Sequence, residues 1–474
     1  MALDSFKRDY GLEGRDQHEI DTLQGNIVST FQSGCFFGAL LAFPVAERIG
    51  RKRSIMIASL IFLVGAILMT ASNGRLPVLI TGRAIAGLGI GAVSLIVPVY
   101  ISETSPPSIR GRLVGIFEIC SQFGGMTGFW INYAVNRTIS EGTKTQWIVP
   151  LAVQLLPGTI LFLGMLCCPE TPRFMAKKDN WEAQRRFFAS YARCLPIIHT
   201  FVENLPTFQF KRLFQKGTRN RIGLGLILMM CQNMTGVNII TYYSPRIFQT
   251  LGITGTSTKL FATGFYGIAK TLGMIVFSLW LVEKVGRRNG LIYGAFIGSL
   301  PMWYIGGYVF KADPTAALKA GNATRSGWAY LAMVCVYLYG FIYCATWQGI
   351  TWVYCSEIFP LDIRLLCVAI TTADQWLWSF IISRTTPYMI TSLGYGTYMF
   401  FGALMLLMGV WAFFFVPETK GKTLEQMETL FGAPSAESEA EKVVDDEKPV
   451  GMVHVENQAA EKSGRWKITR VLSA

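Results

Sequence analysis

Long apolar runs, each closed by a short charged phrase, follow one another along most of the chain. Runs of roughly 20 residues, enough to cross a hydrocarbon core about 30 Å thick, fall at 26–46, 54–72, 77–101, 112–134, 147–168, 222–243, 259–282, 290–311, 328–355, 366–390 and 394–416. An unbroken series of this kind predicts an all-α membrane protein with eleven spans.

The charged phrases repeat in order. Glu47-Arg48-Ile49-Gly50-Arg51-Lys52 returns as Glu283-Lys284-Val285-Gly286-Arg287-Arg288, Ser102-Glu103 with Ile109-Arg110 returns as Ser356-Glu357 with Ile363-Arg364, and Pro169-Glu170-Thr171 returns as Pro417-Glu418-Thr419. A repeat of about half the chain that punctuates membrane spans is the sequence mark of a two-halved transporter. The predicted organisation is a polar external segment (1–25), a five-span bundle (26–168), a cytoplasmic central loop (169–221), a six-span bundle (222–416) and a cytoplasmic tail (417–474). Five spans against six implies one helix fewer at the front than the duplicated plan requires.

Composition sharpens this reading. Hydrophobic residues make up 51% of the chain and charged residues 15%, against roughly a quarter charged in soluble domains. The net charge of +13 concentrates in alternate loops, where it fixes orientation by the positive-inside bias and gives no reason to expect nucleic acid. That bias places the repeated basic loops in the cytoplasm, and the sequons at Asn136 and Asn322 outside. The ten cysteines fall almost entirely in apolar runs without a C-x-x-C pair and read as packing residues. His18, His199 and His454 all lie outside the runs, so neither a metal cluster nor a catalytic constellation is expected, and no cofactor.

Polar residues inside the spans mark a site. Gln232, Thr235, Asn238 and Tyr242 recur on one helical face, with Gly236 placed to loosen the helix and expose its backbone. Amides suit a polyhydroxylated ligand because each both donates and accepts, while the plainer role for such residues is interhelical glue. Lys270 sits in mid-span, where a charge normally faces a cavity or a partner; a structural pair with Asp374 is the alternative. Glu118 and Asp374 are the candidate proton carriers. At the span ends, Glu47, Arg51, Arg83, Glu103, Arg110, Glu170, Glu283, Arg287, Glu357, Arg364 and Glu418 form a predicted cytoplasmic gate whose ion pairs hold the outward-facing state and break on inward opening.

From residue 22 to 432, these loop motifs and the phrase Gln232-Asn233-Met234-Thr235-Gly236-Val237-Asn238 resemble the sugar porter family of the major facilitator superfamily. Within it the phrases GRLVGIFE (111–118), GFWINY (128–133), TYYSPRIF (241–248) and LEQMETLF (424–431) are most similar to fungal quinate permeases. The resemblance implies two six-helix bundles, one central site and alternating access, usually as proton symport. It also implies substrate contacts at Gln122, Gln232, Asn233, Asn238, Trp352 and Trp376, with Gln375 standing where many members have asparagine. Sugar facilitators usually carry a neutral amide at the position of Lys270, so a cation there suits a substrate with a carboxylate such as quinate. The chain departs from the family in lacking its first helix, with the acid that proton-coupled members carry there, and in having Glu47 and Glu283 where aspartate is common. A neutral monosaccharide porter and a non-transporting nutrient sensor are the alternative functions. The expected partners are a small-molecule substrate, protons and the lipid bilayer of the plasma membrane.

Overall fold

A computed structural model describes residues 3–12, 14–105, 110–177, 213–253, 255–281, 284–312, 327–360, 363–421 and 430–431. Glu283, the Asn322 sequon, most of the central loop and the tail beyond 431 lie outside the described residues, as does the side chain of Arg110.

The front half comprises α1 (Asp4–Asp9), α2 (Gln17–Ile49), α3 (Arg51–Thr70), α4 (Leu76–Thr104), α5 (Arg110–Thr138), α6 (Thr145–Val153), α7 (Leu155–Cys167) and the short α8 (Pro172–Lys177). The second half comprises α9 (Lys216–Met234), α10 (Val237–Thr250), α11 (Thr256–Val276), α12 (Arg287–Ala312), α13 (Gly327–Tyr343), α14 (Gly349–Glu357), α15 (Arg364–Leu393) and α16 (Gly396–Phe415). Single π-helical turns extend α11 (Phe277–Leu281) and join α13 to α14 (Cys344–Gln348). Among the described residues, nine helices or helix pairs are long and apolar enough to cross a membrane. α5 and α12 carry more polar sequence but run 29 and 26 residues, about 40 Å each at 1.5 Å per residue.

Small residues set the packing of the front half. Gly34 and Gly38 of α2 face Gly87 and Gly91 of α4, and a Cβ on either Gly34 or Gly87 would lie 3.0 Å from the other's Cα. Helices in lipid gain little from the hydrophobic effect, so this close backbone approach is what holds them together. α2 then packs on α15 and α5 on α11, forming the seam between the halves.

Two regions gain detail in the structure. The described part of the segment 1–25 is ordered against the front half. α1 buries Phe6 and Tyr10 against Trp147, whose indole N–H donates to Asp9 Oδ2 at 2.9 Å, and α2 starts at Gln17, well before the apolar run. The run 222–243 breaks after Met234, where Gly236, expected to loosen the helix, adopts φ +86°, a left-handed conformation costly to any residue with a Cβ.

Candidate functional site

The repeated phrases build the same joint twice. Gly50 (φ +98°) and Gly286 (φ +85°) each turn the chain between two spans. At the first turn the backbone N–H groups of Arg51 and Lys52 donate to the Glu170 carboxylate at 2.9 and 3.1 Å. At the second, those of Arg287 and Arg288 donate to Glu418 at 2.9 and 3.1 Å. The glutamate of each Pro-Glu-Thr phrase is therefore a helix cap, occupying the end where the first N–H groups lack partners and the helix dipole favours an anion. Burial pushes Glu418 up, but the N–H groups of Arg287, Lys420, Arg288 and Thr419 outweigh it and hold its carboxyl below the ordinary value of 4.5. The tyrosines two residues before the serines match as well: Tyr100 donates to Pro169 O at 2.7 Å and Tyr354 to Pro417 O at 3.1 Å.

These joints revise the predicted gate. Arg51 pairs with Glu103 at 3.1 Å and Glu47 at 3.3 Å, and Arg287 with Glu357 at 2.9 Å, as acid–base clusters should. The ion pairs recorded among the described residues at this end stay within one half and stiffen each bundle. Glu170 and Glu418 bind backbone instead of guanidinium groups. Arg364 donates to Phe359 O at 3.2 and 3.3 Å. Arg83 does not belong to this end at all: α4 carries it 20 residues from Glu103, about 30 Å along the helix, because its position near the start of α4 was read as a span end of the wrong side.

The bundles are bonded across the seam toward the opposite end. Arg246 of α10 grips Asp21 of α2 at 2.7 Å, and Thr391 of α15 donates to the same carboxylate at 2.5 Å. Farther in, the Thr22 and Tyr388 hydroxyls lie 2.8 Å apart, Gln32 meets the Ser383 hydroxyl at 3.3 Å, and Trp376 Nε1 donates to Ser94 Oγ at 3.1 Å.

At mid-depth the polar residues fall into two linked groups. In the first, Asn238 Nδ2 donates to Asn233 Oδ1 at 2.6 Å, and Asn233 donates in turn to Met229 O and Gln375 O at 3.0 and 3.2 Å. Asn233 is thus spent on holding the broken helix, the glue role, while Gln232 and Gln375 each keep a buried amide oxygen without a partner. Tyr339 donates to Thr235 O at 2.7 Å, satisfying a carbonyl released by the break. In the second group, Lys270 Nζ lies 3.5 Å from Thr241 Oγ1 and 5.8 Å from the centre of the Tyr266 ring. Across the seam, Gln348 Nε2 donates to Glu118 Oε2 at 3.3 Å, and Glu118 is within electrostatic range of Lys270. Gln232 Nε2 donates to Gln348 O at 3.2 Å and joins the groups.

No Lys270–Asp374 pair is found among the described residues. That carboxylate faces Trp378, with one oxygen buried and unbonded, and Glu118 is the acid whose charge reaches Lys270 through space. Gln122 lies one turn from Glu118 on α5 and is half-exposed. Trp352 packs on the core of the second half and enters none of these bonds. Gln348 was missed by sequence reasoning: it stands in a π-turn that brings it to the Tyr343 hydroxyl, which donates to it at 2.8 Å, and an amide inside an apolar run was its signal.

The family model for the sugar (and other) transporter matches residues 1–431. The chain belongs to the sugar transporter family. A quinate permease of Neurospora terricola is 41% identical over 451 residues, covering 91% of this chain and 84% of its own length. A quinate permease of Emericella nidulans is 40% identical, covering 96% and 85%. Among solved structures, the major facilitator proton:xylose symporter XylE bound to 6-bromo-6-deoxy-D-glucose superposes with a TM-score of 0.74 at 24% identity, covering 90% of this chain and 93% of that one. The xylose transporter XylE from E. coli in a partially occluded inward-open conformation superposes at 0.72. This sugar transporter family member is an integral membrane protein with the major facilitator fold, and its relatives are transporters rather than enzymes.

Proposed function

We propose that the chain carries quinate or a related polyhydroxy carboxylate across the plasma membrane by alternating access, with the repeated basic loops in the cytoplasm and α5 and α12 completing eleven spans. The observation that carries this reading is Lys270 at the seam. It is half-exposed at mid-depth, within reach of Thr241 and without a carboxylate at ion-pair distance among the described residues. Amide oxygens on Gln232 and Gln375, buried without a hydrogen-bond partner, are the acceptors we assign to substrate hydroxyls. The 41% identity to a quinate permease supports the same substrate.

Glu118 gives this arrangement a route to proton coupling. Ionised Glu118 neutralises Lys270 through space, and protonated Glu118 leaves the ammonium to the substrate carboxylate. Proton and anion then move together without leaving a net charge in a low-dielectric site, where an uncompensated charge is costly. Asp374, apart from Lys270, offers no such exchange.

Uptake of labelled quinate and labelled glucose by the parent, Lys270→Asn and Glu118→Gln tests the reading. The expected result is quinate uptake by the parent, lost by more than tenfold in Lys270→Asn. Glu118→Gln should retain binding while losing the dependence of uptake on a proton gradient. Equal quinate uptake by parent and Lys270→Asn, or glucose uptake alone, would overturn it.

A further inference from the structure

A polar chain crosses the seam at mid-depth and ends on the helix break. Glu118 of α5 is buried, and Gln348 Nε2 donates to its Oε2 at 3.3 Å. The other end of the same amide is occupied, because Tyr343 donates its hydroxyl to Gln348 Oε1 at 2.8 Å. An amide accepts only at oxygen and donates only at nitrogen, so the tyrosine fixes which end faces the acid. From Gln348 two paths lead to the break between α9 and α10. Its backbone carbonyl accepts from Gln232 Nε2 at 3.2 Å. Tyr343 stacks on Tyr339 with ring centroids 6.5 Å apart, and Tyr339 donates to Thr235 O at 2.7 Å, next to Gly236.

Gln348 closes the π-turn Cys344–Gln348. Turns of this kind are rare in helices and concentrate at functional sites. The next residue, Gly349, has no room for a side chain: a Cβ there would run into the Phe277 ring, where the π-turn of α11 begins. The two π-turns are thus seated on each other, and Gln348 reaches from this seat to α5. The titratable groups recorded around Glu118 among the described residues are Lys270 of α11, Tyr343 of α13 and Cys344 of the π-turn. None is recorded from α4, α6, α14 or the π-turn of α11, which also pack on α5.

A hydrogen bond to a carboxylate is roughly twice as strong as one between neutral groups. The Gln348–Glu118 link therefore holds firmly while Glu118 is ionised and slackens when the acid takes a proton. We propose that Gln348 is the positioning residue that carries the charge state of Glu118 across the seam to the helix break: with Glu118 ionised it holds the π-turn and Gln232 in their present arrangement, and with Glu118 protonated it releases them. This rests on the proton role given to Glu118 above and adds how the proton is felt at the substrate amides. Proton and ligand then need no common contact, because both bias one movable turn.

Hydrogen exchange at residues 232–238 and 344–349 in ligand-free parent, Gln348→Leu, Tyr343→Phe and Glu118→Gln, at pH 5 and pH 8 and corrected for intrinsic rates, tests the proposal. Quinate binding by calorimetry runs beside it. In the parent, exchange should be about fivefold faster at the lower pH, the difference between a charge-assisted and a neutral hydrogen bond. Gln348→Leu and Glu118→Gln should exchange at the fast rate at both pH values. Tyr343→Phe leaves the amide free to turn, should narrow the parent's ratio, and carries the test if the leucine variant does not fold. A ratio kept in Gln348→Leu and Tyr343→Phe but lost in Glu118→Gln overturns the role of Gln348 and leaves Glu118 as the proton carrier. Faster exchange throughout the second half of Gln348→Leu marks a packing role and also overturns it. A ratio that survives Glu118→Gln, or a parent that exchanges equally at both pH values, overturns both. A parent that keeps the ratio but binds no quinate overturns the substrate reading alone.

Discussion

Neutralising Asp21 should open the end of the transporter farthest from the basic loops. The Asp21 side chain is almost fully buried, and it accepts from Arg246 at 2.7 and 3.5 Å, Thr391 at 2.5 Å and Gln17 at 2.9 Å. Arg246 and Thr391 belong to the other half, so separating the bundles here breaks three hydrogen bonds, two of which make up the Arg246–Asp21 ion pair. Exposed pairs are worth about 0–1 kcal/mol, whereas removing one member of a fully buried pair costs about 3–5 kcal/mol. The Arg246 side chain remains 22% exposed, which places this link between those limits, at about 1–3 kcal/mol and hence a population shift of about 5- to 150-fold. Paired spin labels at the exposed positions Glu19 on α2 and Leu393 on α15 read that population directly. Asp21→Asn and Arg246→Gln should each enlarge the long-distance population by such a factor. The double variant should add little to either single, since both remove one interaction. Single variants that shift the distribution less than twofold, or a double variant whose shift is the product of the two, would refute the link.

Three further outcomes follow from the joints and the helix break. Gly236→Ala forces a Cβ into a left-handed backbone, about 1–2 kcal/mol, and to 2.8 Å from Phe401 Cγ, about 1–3 kcal/mol more; thermal melting in detergent should fall by several degrees, and an unchanged midpoint would contradict the conformation. Glu418→Ala removes a helix cap worth about 0.5–2 kcal/mol, and hydrogen exchange should rise at Arg287 and Arg288 rather than throughout the second half. Because the Glu418 carboxyl is held below 4.5, it binds fewer protons folded than unfolded, so its contribution is complete above that value and fades only as the pH falls through the depressed pKa. Exchange at those two amides should therefore be flat from pH 7 to 5, after correction for intrinsic rates, and increase only below 4.5; a rise beginning near pH 6 would point to another group.

The fold was legible because lipid imposes one strong rule: backbone polar groups must be satisfied within the helix, so apolar length alone reveals the spans. Helix ends were less legible. α2 runs past its apolar stretch to Gln17 because polar residues there bond to the other half, as Asp21 does to Arg246, and hydropathy counts such residues against a helix. The glycine break at 236 could be anticipated, since only glycine takes φ +86° at little cost. The partners of Lys270 could not, because Glu118 and Asp374 are both acids in apolar runs and only the crossing of α5 with α11 decides between them.

The repeats and the site obey different logics. Where the two halves match, at Gly50 and Gly286, Glu170 and Glu418, Tyr100 and Tyr354, the matched groups bind backbone atoms or residues of their own half. Such bonds need not change under the bundle motion that the proposed alternating access requires, so one sequence solution can serve twice. Where the halves meet, symmetry ends: Lys270 and the broken helix stand on one side, and Arg83 and Glu118 on the other. On the proposed reading, a ligand with distinct ends, one charged and one hydroxylated, has no use for a symmetric pocket. Duplication thus supplied the rigid bodies, and divergence at a few mid-depth positions supplied the chemistry.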